Sequence, residues 1–111
     1  MSIKYYAKIS GTGMSVPEKV LTNFDLEKIV DTTDEWIRTR TGMSERHIAS
    51  KNEAASDLAY NATLKAIEAA NIRSKDIDMI IVATISGDHP FPSTACIIQQ
   101  KLGLKGFPAF D

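Results

Sequence analysis

The residues best equipped for chemistry fall in "TTDEWIRTRTG", residues 32–42, which holds the only tryptophan of the chain, Trp36. Arg38 lies two residues beyond it and Arg40 four. On a helix, residues four apart share a face, so Trp36 and Arg40 stand together while Arg38 points elsewhere. A flat indole can stack on adenine, and a guanidinium on the same face can hold a phosphate at the same end of a nucleotide. The spacing alone is equally met by a tryptophan packed on its own domain beside two solvated arginines. A tryptophan among basic residues also suits nucleic acid, but the net charge of −1 and the short basic span do not supply the field that such binding needs.

The remaining reactive side chains read as structural. His47 and His89 are far apart, with no H-x-x-x-H spacing or carboxylate cluster around either, so no metal site is expected. The adjacent pair Asp34 and Glu35 suits the positive end of a helix dipole and needs no acid–base role. Cys96 is the sole cysteine, which excludes an internal disulfide and a cysteine-based zinc site. Set on a helix between Ala95 and Ile97, it reads as a small buried hydrophobe; a working nucleophile needs a base or a helix N-terminus to lower its pKa. "GTG" at 11–13 invites a dinucleotide-binding loop. The third glycine of that motif is missing and Pro17 stands where its helix should run, so this reading is set aside.

The elements that must position these residues follow from periodicity. Ile3, Tyr5, Ala7 and Ile9 alternate with Lys4, Tyr6 and Lys8, the period of a half-buried strand ended by Gly11 and Gly13. "TNFDLEKIV" predicts a short helix capped by Thr22 or Asn23, with Phe24, Leu26, Ile29 and Val30 as its apolar residues. A second helix begins at Thr32, whose spacing to Glu35 is that of a capping box, and Gly42 closes it. "MSERHIASKNE" reads as an irregular connection. Residues 54–70 form the longest helix, with a stripe of Ala55, Leu58, Ala62, Ala66 and Ala69 small enough to pack closely on a sheet, and with Asn71 as a left-handed cap. The apolar run Met79 to Ala83 predicts a strand buried on both faces of a parallel sheet. A loop with Pro90 and Pro92, a helix "STACIIQQKLG" ended by Gly103, and a last strand begun in "LKGFPAFD" complete the series. The alternation of strands and helices predicts an α/β domain with crossover connections, and the sequence reads as one cut inside its last strand.

Bulk properties set the class. An apolar share of 43% suffices for a core, and 24% charged residues argues against disorder. No apolar run is long enough to span a bilayer as a helix, and the alternating N-terminus is not a secretory signal. A cytoplasmic, reducing setting is expected.

"GTGMSVPEKVLTNFDLEKIVDTTDEWIRTRTGMSERHIA" and "HPFPSTACIIQQKLGLKGFPAFD" resemble the N-terminal part of β-ketoacyl-acyl carrier protein synthase III, the initiating condensing enzyme of bacterial fatty acid synthesis in the thiolase superfamily. The resemblance covers essentially all of residues 1–111, with "DEWIRTRTG" followed by "ERHIA", and "FPSTAC" leading to "PAFD", as its specific signals. It implies an incomplete, layered α/β/α thiolase-like fold with a mixed, mostly parallel sheet, truncated before the turn that carries the nucleophile. The catalytic cysteine, histidine and asparagine are expected beyond Asp111, so no catalytic residue is assigned within the chain and the isolated chain is expected to be inactive.

The implied reaction transfers an acyl group from acyl-CoA, usually acetyl-CoA, to the cysteine. Malonyl-acyl carrier protein is then decarboxylated, and its carbanion attacks the thioester to give a β-ketoacyl product. By the same resemblance, Trp36 covers the adenine of CoA, Arg40 lies near its phosphates and Thr32 adds a contact to the base. Phe91 in "HPFPS" corresponds to a position at the end of the acyl pocket, contributed across a homodimer interface, where its bulk favours a short primer. Read without the resemblance, Phe91 between prolines is a loop anchor. No permanently bound cofactor, nucleic acid or membrane partner is implied. A condensing enzyme of secondary metabolism, or a non-catalytic CoA-binding or dimerisation fragment, meets the same motifs.

Overall fold

The computed structural model describes residues 2–111, which form two compact units: Val16–Glu53, and the residues up to Ser15 together with Ala54–Asp111.

In the unit Val16–Glu53, strand β1 (Lys19–Thr22) pairs antiparallel with β2 (Glu45–Ile48), in a register that sets Val20 opposite His47 and Leu21 opposite Arg46. Sequence reading takes 43–53 as irregular. Glu45–Ile48 carries polar side chains and gives no periodic signal; pairing with a distant segment makes it a strand. Helix α1 (Asn23–Glu27) starts where β1 ends. Thr22 is its cap: its hydroxyl accepts from the Asp25 backbone N–H at 3.2 Å, and the Asp25 carboxylate accepts from the Thr22 N–H at 3.0 Å. The Thr22 hydroxyl also donates to the Asp25 carboxylate at 2.8 Å, and this bond first, then the one from the Thr22 N–H, holds the Asp25 carboxyl below its ordinary value. The helix stops at Glu27, short of Ile29 and Val30, and of the expected apolar set only Leu26 is half-buried while Phe24, Ile29 and Val30 are exposed.

Helix α2 (Asp34–Thr41) follows. Its cap is Thr33 and not Thr32: the Thr33 hydroxyl accepts from the Trp36 backbone N–H at 3.1 Å. The third helical residue is therefore Trp36, and Glu35 cannot complete a capping box. Gly42 closes the helix as expected, in the left-handed region at φ 73° with its N–H donating to the Arg38 carbonyl. Ile37 is the one buried residue of α2.

In the other unit, helix α3 (Ala55–Ala70) ends at Asn71, left-handed at φ 53° as its sequence predicts. Ala55, Leu58, Ala62 and Ala66 are half-buried, whereas Ala69 is exposed and drops out of the expected stripe. The stripe receives glycine backbone. A Cβ on Gly11 would lie 2.5 Å from the Ala70 nitrogen, and one on Gly13 would overlap the Ala62 carbonyl. The "GTG" segment is thus built for contact with a helix, consistent with the rejection of a dinucleotide loop. Among the described residues no strand precedes Lys19. The alternation of residues 3–9 has no partner backbone to complete a ladder, and Ile3, Tyr5 and Ile9 are exposed.

Strand β3 (Ile80–Ile81) and strand β4 (Ala109–Phe110) pair in parallel, with helix α4 (Thr94–Lys101) between them in sequence. The expected crossover unit is present, but the strand is not buried on both faces. Ile80 and Val82 are half-buried while Met79, Ile81 and Ala83 are exposed, the alternation of a strand covered on one side only. The core of this unit lies under α4, at Ala95 and Ile98. Ser93 caps α4 by accepting from the Cys96 N–H at 3.2 Å, and the Asp111 carboxylate accepts from the N–H groups of Thr94 and Ala95, each at 2.7 Å. Asp88 does the same for α3, accepting from the Ser56 N–H at 2.8 Å and the Ser56 hydroxyl at 2.5 Å.

Candidate functional site

Helix α2 presents the two residues that the spacing argument singles out. The Trp36 side chain is not core: the residue is 57% exposed. Arg40, one turn on, lies with its guanidinium carbon 5.8 Å from the centre of the indole ring. Arg38 turns away, as expected, and its Nε donates to the Asp34 carboxylate at 2.8 Å. Beside the indole is an open hollow of about 260 Å³, lined by Asp31, Thr32, Thr33 and Trp36.

Thr33 spends its hydroxyl on the helix cap, which leaves the half-buried Thr32 free to face this hollow. An exposed aromatic plane, Thr32 and the start of α2 meet at the hollow, and the Arg40 guanidinium lies against the indole. Such a set can stack a planar base and hold an anionic group beside it.

A polar hub that sequence reasoning missed lies behind the hollow. Asn23 is fully buried. Its Nδ2 donates to Asp34 Oδ1 at 2.9 Å and to the Met43 carbonyl at 2.8 Å, and its Oδ1 accepts from Arg46 Nη2 at 2.7 Å. The sequence offers Asn23 only as an alternative cap; because Thr22 takes that role, the amide turns inward. The Asp34 N–H in turn donates to Glu27 Oε1 at 2.7 Å, so the carboxylates at the start of α2 and the end of α1 are structural.

Phe91 lies in the other unit and is 89% exposed. Cys96 corrects an expectation: it is exposed and not buried, with its Sγ 3.5 Å from the Ala109 carbonyl oxygen. The Ser93 cap turns this position of the first helical turn outward, while the adjacent Ala95 takes the core. His47 is held by its Nδ1, 2.5 Å from the Pro17 carbonyl oxygen, and His89 is exposed. Among the described residues no group of three or more histidine, cysteine, aspartate or glutamate side chains could hold a metal ion, and no helix is long and apolar enough to cross a membrane.

No family model matches the sequence. Individual proteins do. The chain is 60% identical, over all 111 residues, to the β-ketoacyl-[acyl-carrier-protein] synthase III of Xylella fastidiosa (strain Temecula1), of which it covers 34%. It is 59% identical over the same length to the enzyme of that name from Caldanaerobacter subterraneus, again covering 34%. The crystal structure of 3-oxoacyl-[acyl-carrier-protein] synthase III from Aquifex aeolicus superposes with a TM-score of 0.87 at 53% identity, over 94% of this chain and 33% of that one. The chain therefore spans about a third of the length of the relatives it matches. The mixed α/β arrangement is a portion of their thiolase-like fold.

Proposed function

We infer the function from a premise the comparisons supply: the chain belongs to the β-ketoacyl-[acyl-carrier-protein] synthase III family, about a third of whose length it spans. The protein to which these residues contribute performs the initiating condensation of fatty acid synthesis. It takes an acyl group, acetyl by preference, from acyl-CoA onto an enzyme cysteine, then condenses it with malonyl-acyl carrier protein to a β-ketoacyl product, working as a cytoplasmic homodimer. The contribution of this chain is the adenine end of the CoA site: Trp36 stacks on the base, Thr32 contacts it and Arg40 holds phosphate. Phe91 closes the acyl pocket from across the dimer.

The observation that carries this reading is the placement of Trp36. A large aromatic left more than half exposed, with a guanidinium one turn away and a threonine-lined hollow beside it, is what a stacking site for a nucleotide requires. The exposure of Phe91 supports its role at an interface, since most of its apolar surface is left uncovered. Cys96 takes no part in acyl transfer: it sits in the first turn of α4, not in the turn beyond Asp111 where the resemblance puts the nucleophile. Acyl transfer by the 111-residue chain alone is accordingly not expected.

The test is a fluorescence titration with coenzyme A, for which Trp36 is the only indole reporter. Saturable quenching that Arg40→Ala weakens is the expected result. A folded chain whose emission ignores coenzyme A, both alone and extended past the segment after Asp111, would remove Trp36 from the site.

A further inference from the structure

Helix α2 has only eight residues, and a helix that short is largely unwound in water when it stands alone. Its outward face offers nothing to hold it, since Trp36, Arg38 and Arg40 are all exposed. Two local caps, Thr33 and Gly42, close its ends, and the buried Ile37 and the Asp34 N–H bond to Glu27 attach it to its unit, but none of these ties both ends of the helix at once.

Asn23 supplies that attachment. Its side-chain nitrogen donates one hydrogen bond to Asp34, the first residue of α2, and one to the carbonyl of Met43, the residue after the closing glycine. A single amide nitrogen thus binds both ends of the helix. Its oxygen accepts from Arg46 on β2, whose Nη1 also donates to the Leu21 carbonyl on β1 at 3.2 Å, and the Asn23 backbone N–H donates to Ser44 O at 3.0 Å. Both amide hydrogens and the amide oxygen are used, in a residue with no solvent exposure. No other residue type presents two donors and an acceptor in so small a volume.

We propose that Asn23 is the positioning residue of the nucleotide half-site: it clamps residues 34–41 into a helix and thereby keeps Trp36 and Arg40 on one face. The role rests on the reading of Trp36 and Arg40 given above, but the clamp itself is measurable without ligand. With the helix intact, base and phosphate meet their partners together. Where it frays, the indole still stacks on a base, but Arg40 no longer sits one turn away.

Two probes separate positioning from loss of fold. Adenosine needs Trp36 and Thr32 but not Arg40, whereas coenzyme A needs Trp36 and Arg40 in register. In Asn23→Ala, the preference for coenzyme A over adenosine falls about tenfold, the scale of one buried hydrogen-bonded group left unmatched, while adenosine affinity holds. General destabilisation would weaken both alike, and that outcome overturns the positioning role.

Asp34→Ala, which removes the tie at the start of α2 together with the exposed pair to Arg38, gives a smaller fall in the same ratio. It decides the matter should Asn23→Ala fail to fold, a retained preference in that variant refuting the proposal. Arg38→Ala serves as the control for the exposed pair with Asp34. Amide hydrogen exchange is the ligand-free arm. Asn23→Ala, or Asp34→Ala in its place, speeds exchange at Ile37 to Gly42 more than at β1 and β2. Uniform acceleration of the unit sinks the clamp. A parent chain that binds neither probe refutes the nucleotide reading instead, and leaves the exchange result to judge the clamp.

Discussion

The Arg40 guanidinium lies over one face of the Trp36 indole, 5.8 Å from the ring centre. At that distance and exposure the attraction is weak, about 0.5–1 kcal/mol. Arg40 is held close enough to be in place, but loosely enough to exchange the indole for a phosphate. One face of the ring is thus shielded in the unliganded chain, and a base can stack on the other face or displace the guanidinium.

Removing that guanidinium therefore has two consequences. In the unliganded chain, Arg40→Ala shifts the Trp36 emission, since the charge nearest the ring is lost. With coenzyme A, the same variant raises Kd about tenfold, the loss of one charge-assisted hydrogen bond, and makes binding less sensitive to salt. Arg40→Lys falls between, because an ammonium keeps the charge but not the planar fork. Titration by fluorescence at two ionic strengths measures all three; an unchanged Kd in Arg40→Ala would exclude Arg40 from the phosphate contact.

The segment that rests on α3 predicts a different kind of sensitivity. Gly13→Ala drives a methyl group into the Ala62 carbonyl and the Ala66 nitrogen, and Gly11→Ala into Ala70 and Ala66. These are backbone atoms of a regular helix and cannot step aside. Each substitution is expected to cost about 1–3 kcal/mol, the usual range for overpacking. Gly42→Ala meets no atom within 4 Å and fails for another reason, its φ of 73°. Thermal denaturation of the three variants, followed by circular dichroism, checks the order.

Which features the sequence discloses depends on how local their causes are. Gly42 and Asn71 end their helices as read, because a left-handed cap is a property of one residue. The convergence of Trp36 and Arg40 follows from helix period alone. Thr33 was not separable from Thr32, since both hydroxyls can cap and only the realised start at Asp34 decides. The strand Glu45–Ile48 owes its existence to Lys19–Thr22, more than twenty residues away, and shows no periodic pattern of its own. Residues 3–9 carry the converse lesson: alternation is legible, but a strand also needs a partner ladder, which these residues lack. Asn23 was hidden most completely, since its inward turn follows from Thr22 winning the cap.

Exposure separates two apolar residues of the same unit. Phe91 at 89% exposed contacts little, so Phe91→Ala should leave the stability of this chain within about 0.5 kcal/mol of the parent. Ile98 at 2% exposed sits in the core beneath α4, and Ile98→Ala should cost about 2–5 kcal/mol. Urea denaturation of both variants is the measurement. A large loss in Phe91→Ala would mean that the loop is a packing element, and would withdraw the argument that its apolar surface is reserved for an interface.

Asp111 links the acid stability of the unit to one carboxylate. Burial works to raise its pKa, but the N–H groups of Ala95 and Thr94 outweigh it, so the carboxyl is held below its usual value of 3.8. A group whose folded pKa is depressed stabilises the fold above its unfolded pKa, and that contribution is lost as pH falls through the folded value. The anchoring of α4 by Asp111 is thus complete at neutral pH. Its contribution starts to fall only below the usual carboxylate value of 3.8 and is lost as pH drops through the lower folded value, where the carboxyl protonates and ceases to accept both hydrogen bonds. Asp111→Asn accepts through one oxygen only and does not titrate. The melting temperature of the parent should therefore exceed that of Asp111→Asn at pH 7, and the two should converge on acidification. Asp57, held low first by its hydrogen bond from Lys101 and then by the Ala54 N–H, adds to the acid sensitivity of both proteins equally, so the difference between the curves isolates Asp111. Parallel melting curves down to pH 3 would show that the carboxylate does not carry the charge that anchors the helix.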